Sequence, residues 1–401
     1  MTAVSGAALI GVATISCLAM AWVLGASSNS PPFAPAIGAN AVSTMRAAFL
    51  VGVLASLGAL IQGGSISETV GSELINGVTI SPLAATAGLL TAATYIAVGV
   101  HTGYPVPAAF AVTGAMVGVG LSLGGTPAMD TYRRLGTFWL AVPIVSSSLA
   151  FLTATLLRHD RVPETVGVPL LAGFVSGALA HIRLTVIPSP PGVSQGTVAG
   201  YAARTLGPTT GSPRVTAAVT TGIFAVAGFW LMRQQVSRSV TRGIRRFLLL
   251  LGAIVAFSGG GSQVGLATGP LEDLFVTHLR LPTIVLLGIG GLGILFGAWM
   301  GAPRLLQATS REYAELGARR SIAALVPGFI IAQTAIALGI PISFNNIVIS
   351  AVIGGGLAAG SAGVSRHKIA VTLVFWVVTL VSSVVIGFGV YRLLTTLLGV
   401  T

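Results

Sequence analysis

The sequence predicts an all-α polytopic membrane protein, with about 10–12 transmembrane helices in two inverted repeats that contain broken or re-entrant helices. Three observations carry this expectation. The 401 residues have a mean hydropathy of +0.92 and only 7% charged side chains, against about a quarter in soluble domains. Apolar runs long enough to cross a hydrocarbon core of roughly 30 Å recur along the whole length. The two ends of the chain also carry similar interruptions in the same order.

In chain order, the candidate spans are 7–25, 47–62, 83–100, 106–123, 135–157, 168–184, 217–231, 247–257, 283–300, 322–340, 342–359 and 369–393. The first has no basic residue before its apolar part, so it reads as a retained span and not as a cleaved signal peptide. The shortest runs are of a length for half-helices or re-entrant pieces. A polar, Pro-rich stretch at 188–213 and an Arg-rich one at 233–246 separate two halves. The expected organisation is a first repeat over 1–157, a central linker with extra spans over 158–246, and a second repeat over 247–401.

Residues 258–270, S-G-G-G-S-Q-V-G-L-A-T-G-P, hold five glycines and a proline inside an apolar region. Glycine and proline both disfavour a helix interior, so this stretch reads as a broken helix. Its counterpart is G-A-S-S-N-S-P-P-F-A-P at 25–35. Aligning Ser28 with Ser262 places Asn29 on Gln263, and the spacing from Ser28 to Pro105 agrees within two residues with that from Ser262 to Pro341. Further on, G-V-G-L-S-L-G at 118–124 matches G-G-G-L-A-A-G at 354–360, and Phe138-Trp139 matches Phe375-Trp376. Matched interruptions in matched halves point to a transporter site near the membrane midplane. Half-helix N-termini there offer N–H groups and partial positive charge to an anion.

The formal charge of +12 sits on Arg residues in short loops, as orientation by the positive-inside rule requires. It calls for no nucleic acid. Cys17 is the lone cysteine and the five His are scattered, so neither a disulfide nor a zinc motif is expected. No catalytic constellation stands out, and the lone G-G-G-S-Q lacks the Lys and Ser/Thr of a phosphate-binding loop.

The second half carries a resemblance to a known family. Residues 260–271 read G-G-S-Q-V-G-L-A-T-G-P-L, and 339–350 read G-I-P-I-S-F-N-N-I-V-I-S. Together with G-A-R-R-S-I-A-A at 317–324, these resemble the signatures of the PiT family of inorganic phosphate transporters. The first half resembles the family more loosely, through Glu68-Thr69-Val70-Gly71 and 103–118. The resemblance implies a secondary transporter of a small oxyanion, phosphate first and sulfate second. It also implies coupling to Na+ or H+ through positions that are aspartates in the family. Here both are amides, Asn29 and Gln263, which keep a carbonyl oxygen for a cation and lose the charge and the titratable proton.

The candidate substrate-binding residues are therefore Ser28, Asn29, Ser262, Gln263, Ser343, Asn345 and Asn346, with Asn29 and Gln263 also the candidate cation contacts. Capping of helix ends is the structural alternative for Ser28, Asn29, Ser262 and Gln263, and tight helix packing by polar side chains is the alternative for Ser343, Asn345 and Asn346. Glycines at 114, 118, 120 and 354–356 fit close helix contacts better than a pore lining. The reading is a multi-pass inner-membrane permease with phosphate or sulfate and the lipid bilayer as partners, and it admits a homodimer. A resident cofactor or metal and an enzymatic activity are not expected. An uncoupled anion channel or sensor is the second reading, and a membrane enzyme the third.

Overall fold

The computed structural model describes residues 6–29, 31–102, 106–159, 161–190, 195–311, 317–358, 360 and 366–399. The first half contains α1 (Gly6–Ala26), a 3-10 turn (Pro31–Phe33), α2 (Ala34–Gly38), α3 (Thr44–Gln62), α4 (Gly64–Ser72), β1 (Ile75–Asn76), α5 (Pro82–Thr102), α6 (Ala108–Ser122), β2 (Thr126–Pro127) and α7 (Met129–Arg158). The centre holds α8 (Glu164–Leu179), α9 (Val198–Thr205), α10 (Gly207–Thr210) and α11 (Pro213–Arg238). The second half holds α12 (Val240–Thr268), α13 (Thr283–Arg311), α14 (Ala318–Ala337), α15 (Phe344–Leu357) and α16 (Arg366–Leu398). Among the described residues nine helices are long and apolar enough to cross a membrane, and α6, α8 and α15 are shorter apolar helices. Each of the twelve predicted spans overlaps one of these helices.

Helix exposure sorts the elements. Helices α7, α11 and α16 present Leu140, Leu231 and Val377 at 65–74% exposure, as lipid-facing surfaces do. Helices α6, α12, α14 and α15 lie mostly buried. Charged side chains gather at helix ends: Arg134 pairs with Glu73 at 2.6 Å, Arg319 pairs with Glu164, and Arg245 donates to the Asn40 carbonyl at 2.7 Å.

The structure corrects one expectation. Residues 258–268 do not break; α12 runs through them without interruption to Thr268, and only 269–271 tighten into a 3-10 turn. A glycine costs a helix about 1 kcal/mol relative to alanine, whereas an unpaired backbone group in the membrane interior costs several. The helix therefore continues, and its glycines serve close approach. A Cβ on Gly260 would sit 1.8 Å from the Ala55 carbonyl oxygen, and one on Gly265 would sit 2.8 Å from the Ser67 nitrogen. The interruption after α1 is real: Pro31 and Pro32 follow it and cannot extend its hydrogen-bond ladder.

Several elements of the two halves match in order and length. Helices α5 and α14 start at the same sequence offset as α6 and α15. Helix α3, Gly63 and α4 together cover as many residues as the 29-residue helix α13. Packing is exchanged between halves: α1 lies on α13 and α12 on α3, while α6 lies on α16 and α15 on α7. Helices α3 and α4 run alongside α12 in the same direction, with Gly58 against Phe257, Gly63 against Val264 and Gly71 against Gly269. The chain after α1 runs the opposite way along α12, from Asn29 beside Gly259 through Phe33 beside Gly252 to Ala41 beside Arg245.

Candidate substrate site

The interruption after α1, the starts of α6 and α15, and the last turns of α12 meet in one place. Each is placed by a local sequence reason. Helix α14 ends where Gly339 adopts φ +65°, a conformation glycine takes without strain. Pro341 then blocks renewed helix until Phe344. On the other side Pro107 stands immediately before α6 in an extended conformation.

All seven candidates are buried: Ser28, Asn29, Gln263 and Asn345 at 0% exposure, Ser262 and Ser343 at 1%, and Asn346 at 3%. Gln263 donates its amide hydrogens to the Ile342 carbonyl at 3.2 Å and to Ser262 Oγ at 3.3 Å. Asn345 donates to the Val106 carbonyl at 2.9 Å and to Ser27 Oγ at 3.5 Å. Asn29 Oδ1 lies 2.8 Å from the position a Cβ on Gly259 would take. The structure thus joins the Ser27–Asn29 turn, Ser262–Gln263 and the entry to α15 into one cluster. Ser343, at the N-cap position of α15, makes no side-chain cap bond, so capping does not account for it.

Several polar atoms of this cluster have no hydrogen-bond partner among the described residues: Ser28 Oγ, both amide atoms of Asn29, Gln263 Oε1, Ser343 Oγ, Asn345 Oδ1 and Asn346 Oδ1. An unpaired buried polar group costs about 1–3 kcal/mol, and such groups are rare enough that a concentration of them calls for a polar ligand. The oxygens of Gln263 and Asn345 face inward for a definite reason. A backbone carbonyl can accept only from the amide nitrogen, and each amide nitrogen is committed to one.

Sequence reasoning missed a second set of polar residues beside the first. Gln62 Nε2 donates to Gln333 Oε1 at 3.0 Å, and Gln333 Nε2 donates to Ser258 Oγ, which links α3, α14 and α12. Ser67 and Thr268 hydroxyls lie 2.8 Å apart. The available signal was an amide side chain inside an apolar run, which is costly in a membrane unless it has a use. His101 is exposed at the end of α5, and the side chain of Glu68 is outside the described residues.

Two cavities, each of about 490 Å³, are apolar and lie away from this cluster. One is lined by Trp139, Pro143, Trp376 and Leu380 between α7 and α16. None of the seven candidates lines either cavity. The polar cluster is closed to solvent.

Comparison with known proteins identifies the fold and the family. A solved structure, "The sodium-dependent phosphate transporter", superposes with a TM-score of 0.81, covering 97% of this chain and 99% of that one at 20% identity, which establishes a shared fold. A Pyrococcus furiosus protein named "Putative phosphate permease" is 25% identical, with 95% of each chain covered. The Arabidopsis thaliana "Inorganic phosphate transporter 2-1, chloroplastic" is 26% identical over 90% of this chain and 68% of its own. The family model described as "Phosphate transporter family" matches residues 24–387. The chain is a multi-pass membrane protein and belongs to the phosphate transporter family.

Proposed function

We propose that the protein is a secondary permease for inorganic phosphate, seated in a cell (inner) membrane, with the closed Ser/Asn/Gln cluster as its binding site. The observation that carries this reading is the convergence of unpaired hydroxyl and amide groups, at 0–3% exposure, on the starts of α6 and α15. The helix starts supply N–H groups with partial positive charge. Hydroxyls supply donors, and inward amide oxygens accept from a protonated phosphate oxygen. No carboxylate is among the seven residues, so nothing in the set repels the anion.

Transport follows from the paired architecture. Residues 1–157 and 247–401 are two repeats of inverted topology; support comes from the exchanged packing of their helices and from the opposite directions of α12 and the chain after α1. Rocking of one repeat against the other exposes the cluster to alternate sides. Coupling to a cation uses the oxygens of Asn29 and Gln263, which are hard ligands suited to Na+. Neither group titrates, so sodium is the coupling ion this chemistry favours over the proton. The test is uptake of labelled phosphate into proteoliposomes with imposed sodium or proton gradients. Accumulation driven by sodium is the expected result; equilibration without accumulation under either gradient would make the protein a channel.

A further inference from the structure

The central segment places one polar side chain where neither repeat does. Leu184 and Gly196 form a two-bond bridge, with N–O distances of 2.8 and 3.1 Å. The loop they close is pinned to the end of α3, where the Thr185 backbone N–H and hydroxyl both donate to the Ile61 carbonyl, at 2.8 and 3.0 Å. This fixes Gln195 directly over the junction between α3 and α4. Gln195 is 3% exposed, and its Nε2 lies 3.5 Å from the position a Cβ on Gly64 would take. Neither its nitrogen nor its oxygen has a hydrogen-bond partner among the described residues.

Helix α4 begins at Gly64, has nine residues, no side-chain cap and no acidic residue in its first turn. Its N-terminal backbone donors and partial positive charge suit an anion. A buried amide with both ends idle, held by a bridged loop against that terminus, is a costly arrangement. Satisfied core glutamines use both ends. Gln62, the last residue of α3, belongs to the inner polar set, so this place adjoins the binding site and lies outside it.

We propose that Gln195 and the N-terminus of α4 form a second anion site, a vestibule for hydrogenphosphate bound for the inner cluster. The inference rests on the permease reading given above. Gln195 Nε2 donates to a phosphate oxygen, and Gln195 Oε1 accepts from the phosphate's own hydroxyl. Sulfate carries no proton at neutral pH, so it leaves Oε1 unpaired and facing negative oxygen. The site therefore selects phosphate over sulfate before either reaches the midplane.

The test uses the full-length chain in proteoliposomes, with labelled inorganic phosphate as substrate and unlabelled sulfate as competitor. Gln195→Met keeps length and burial while removing both polar ends. Its half-saturating phosphate concentration is expected to rise roughly five- to tenfold, the equivalent of one neutral hydrogen bond. Sulfate is expected to compete more strongly than in the wild type. Gln195→Glu, which sets a carboxylate against the anion, should raise half-saturation further. If Gln195→Met does not fold, Gln195→Asn, which withdraws the amide from α4 by one methylene, must show the same two shifts. Wild-type half-saturation together with wild-type sulfate competition in a folded variant overturns the site and leaves the permease reading standing. A wild-type protein that takes up no phosphate overturns the permease reading, and this site with it.

Discussion

Gln263 has its amide nitrogen committed to the Ile342 carbonyl, so its two polar ends do different work. The nitrogen holds the entry of α15 against α12, and the oxygen faces the cluster. Gln263→Ala removes both, and phosphate uptake is expected to fall by at least about tenfold, as loss of one charge-assisted contact implies. Gel filtration should show a folded protein; a variant with normal uptake removes Gln263 from the site. Trp139 is a purely structural contrast. Its indole N–H donates to the Pro341 carbonyl at 2.9 Å, so Trp139→Phe should cost about 1 kcal/mol. That cost is read as a lower melting temperature in detergent. At this scale the sequence pointed to Ser262, Gln263 and Asn345 through nearby glycine or proline landmarks, and the fold brings them into one buried cluster. Gln333 has no such landmark beside it, and only the fold brings it and Gln62 to Ser258.

At the scale of single helices, α12 shows where local propensity misleads. Five glycines and a proline argue for a break, but backbone hydrogen bonding in the membrane interior outweighs them. What the glycines provide is contact, and that contact makes them unequal. Gly260→Val would drive a side chain into the Ala55 backbone and is expected to abolish folded protein. Gly288→Ala, on α13 with open space where its Cβ would go, should be neutral or stabilising by up to about 1 kcal/mol from helix propensity. Thermal unfolding of both variants checks the pair; a well-folded Gly260→Val would refute the contact argument. The breaks at Pro31 and near Pro341 were legible because proline removes a donor outright, whereas glycine only permits a bend.

For the whole molecule, orientation is the property to test. Helix α11 has 26 residues, about 39 Å at 1.5 Å per residue, so Thr209 and Ser237 near its two ends lie on opposite membrane faces. The Arg-rich stretch that includes Arg238, Arg242 and Arg245 marks the inner face. In a Cys17→Ser background, Ser237→Cys should react with an impermeant thiol reagent only from inside, and Thr209→Cys only from outside. The reverse pattern inverts the assigned orientation. Class and the succession of spans were legible from hydropathy, because the membrane constrains helix length and composition strongly. The role of the central segment was not, since the residues of its loop meet Ile61 and Gly64 only after the chain has folded.

The junction at Gly63 has a wider consequence. It divides α3 from α4, and the chain after α1 is likewise divided, yet the corresponding helices α12 and α13 are continuous. Under the rocking motion proposed above, the first half holds the joints and the second half the continuous helices. Flexibility is therefore distributed unevenly between two structurally related halves. Gly63→Ala would set a Cβ 2.3 Å from the Ala59 carbonyl oxygen and force this joint to shift, so it should slow turnover more than Gly290→Ala, whose Cβ would meet only side chains, when both are measured as phosphate exchange at equal protein density. Duplicated architecture here supports an asymmetric engine.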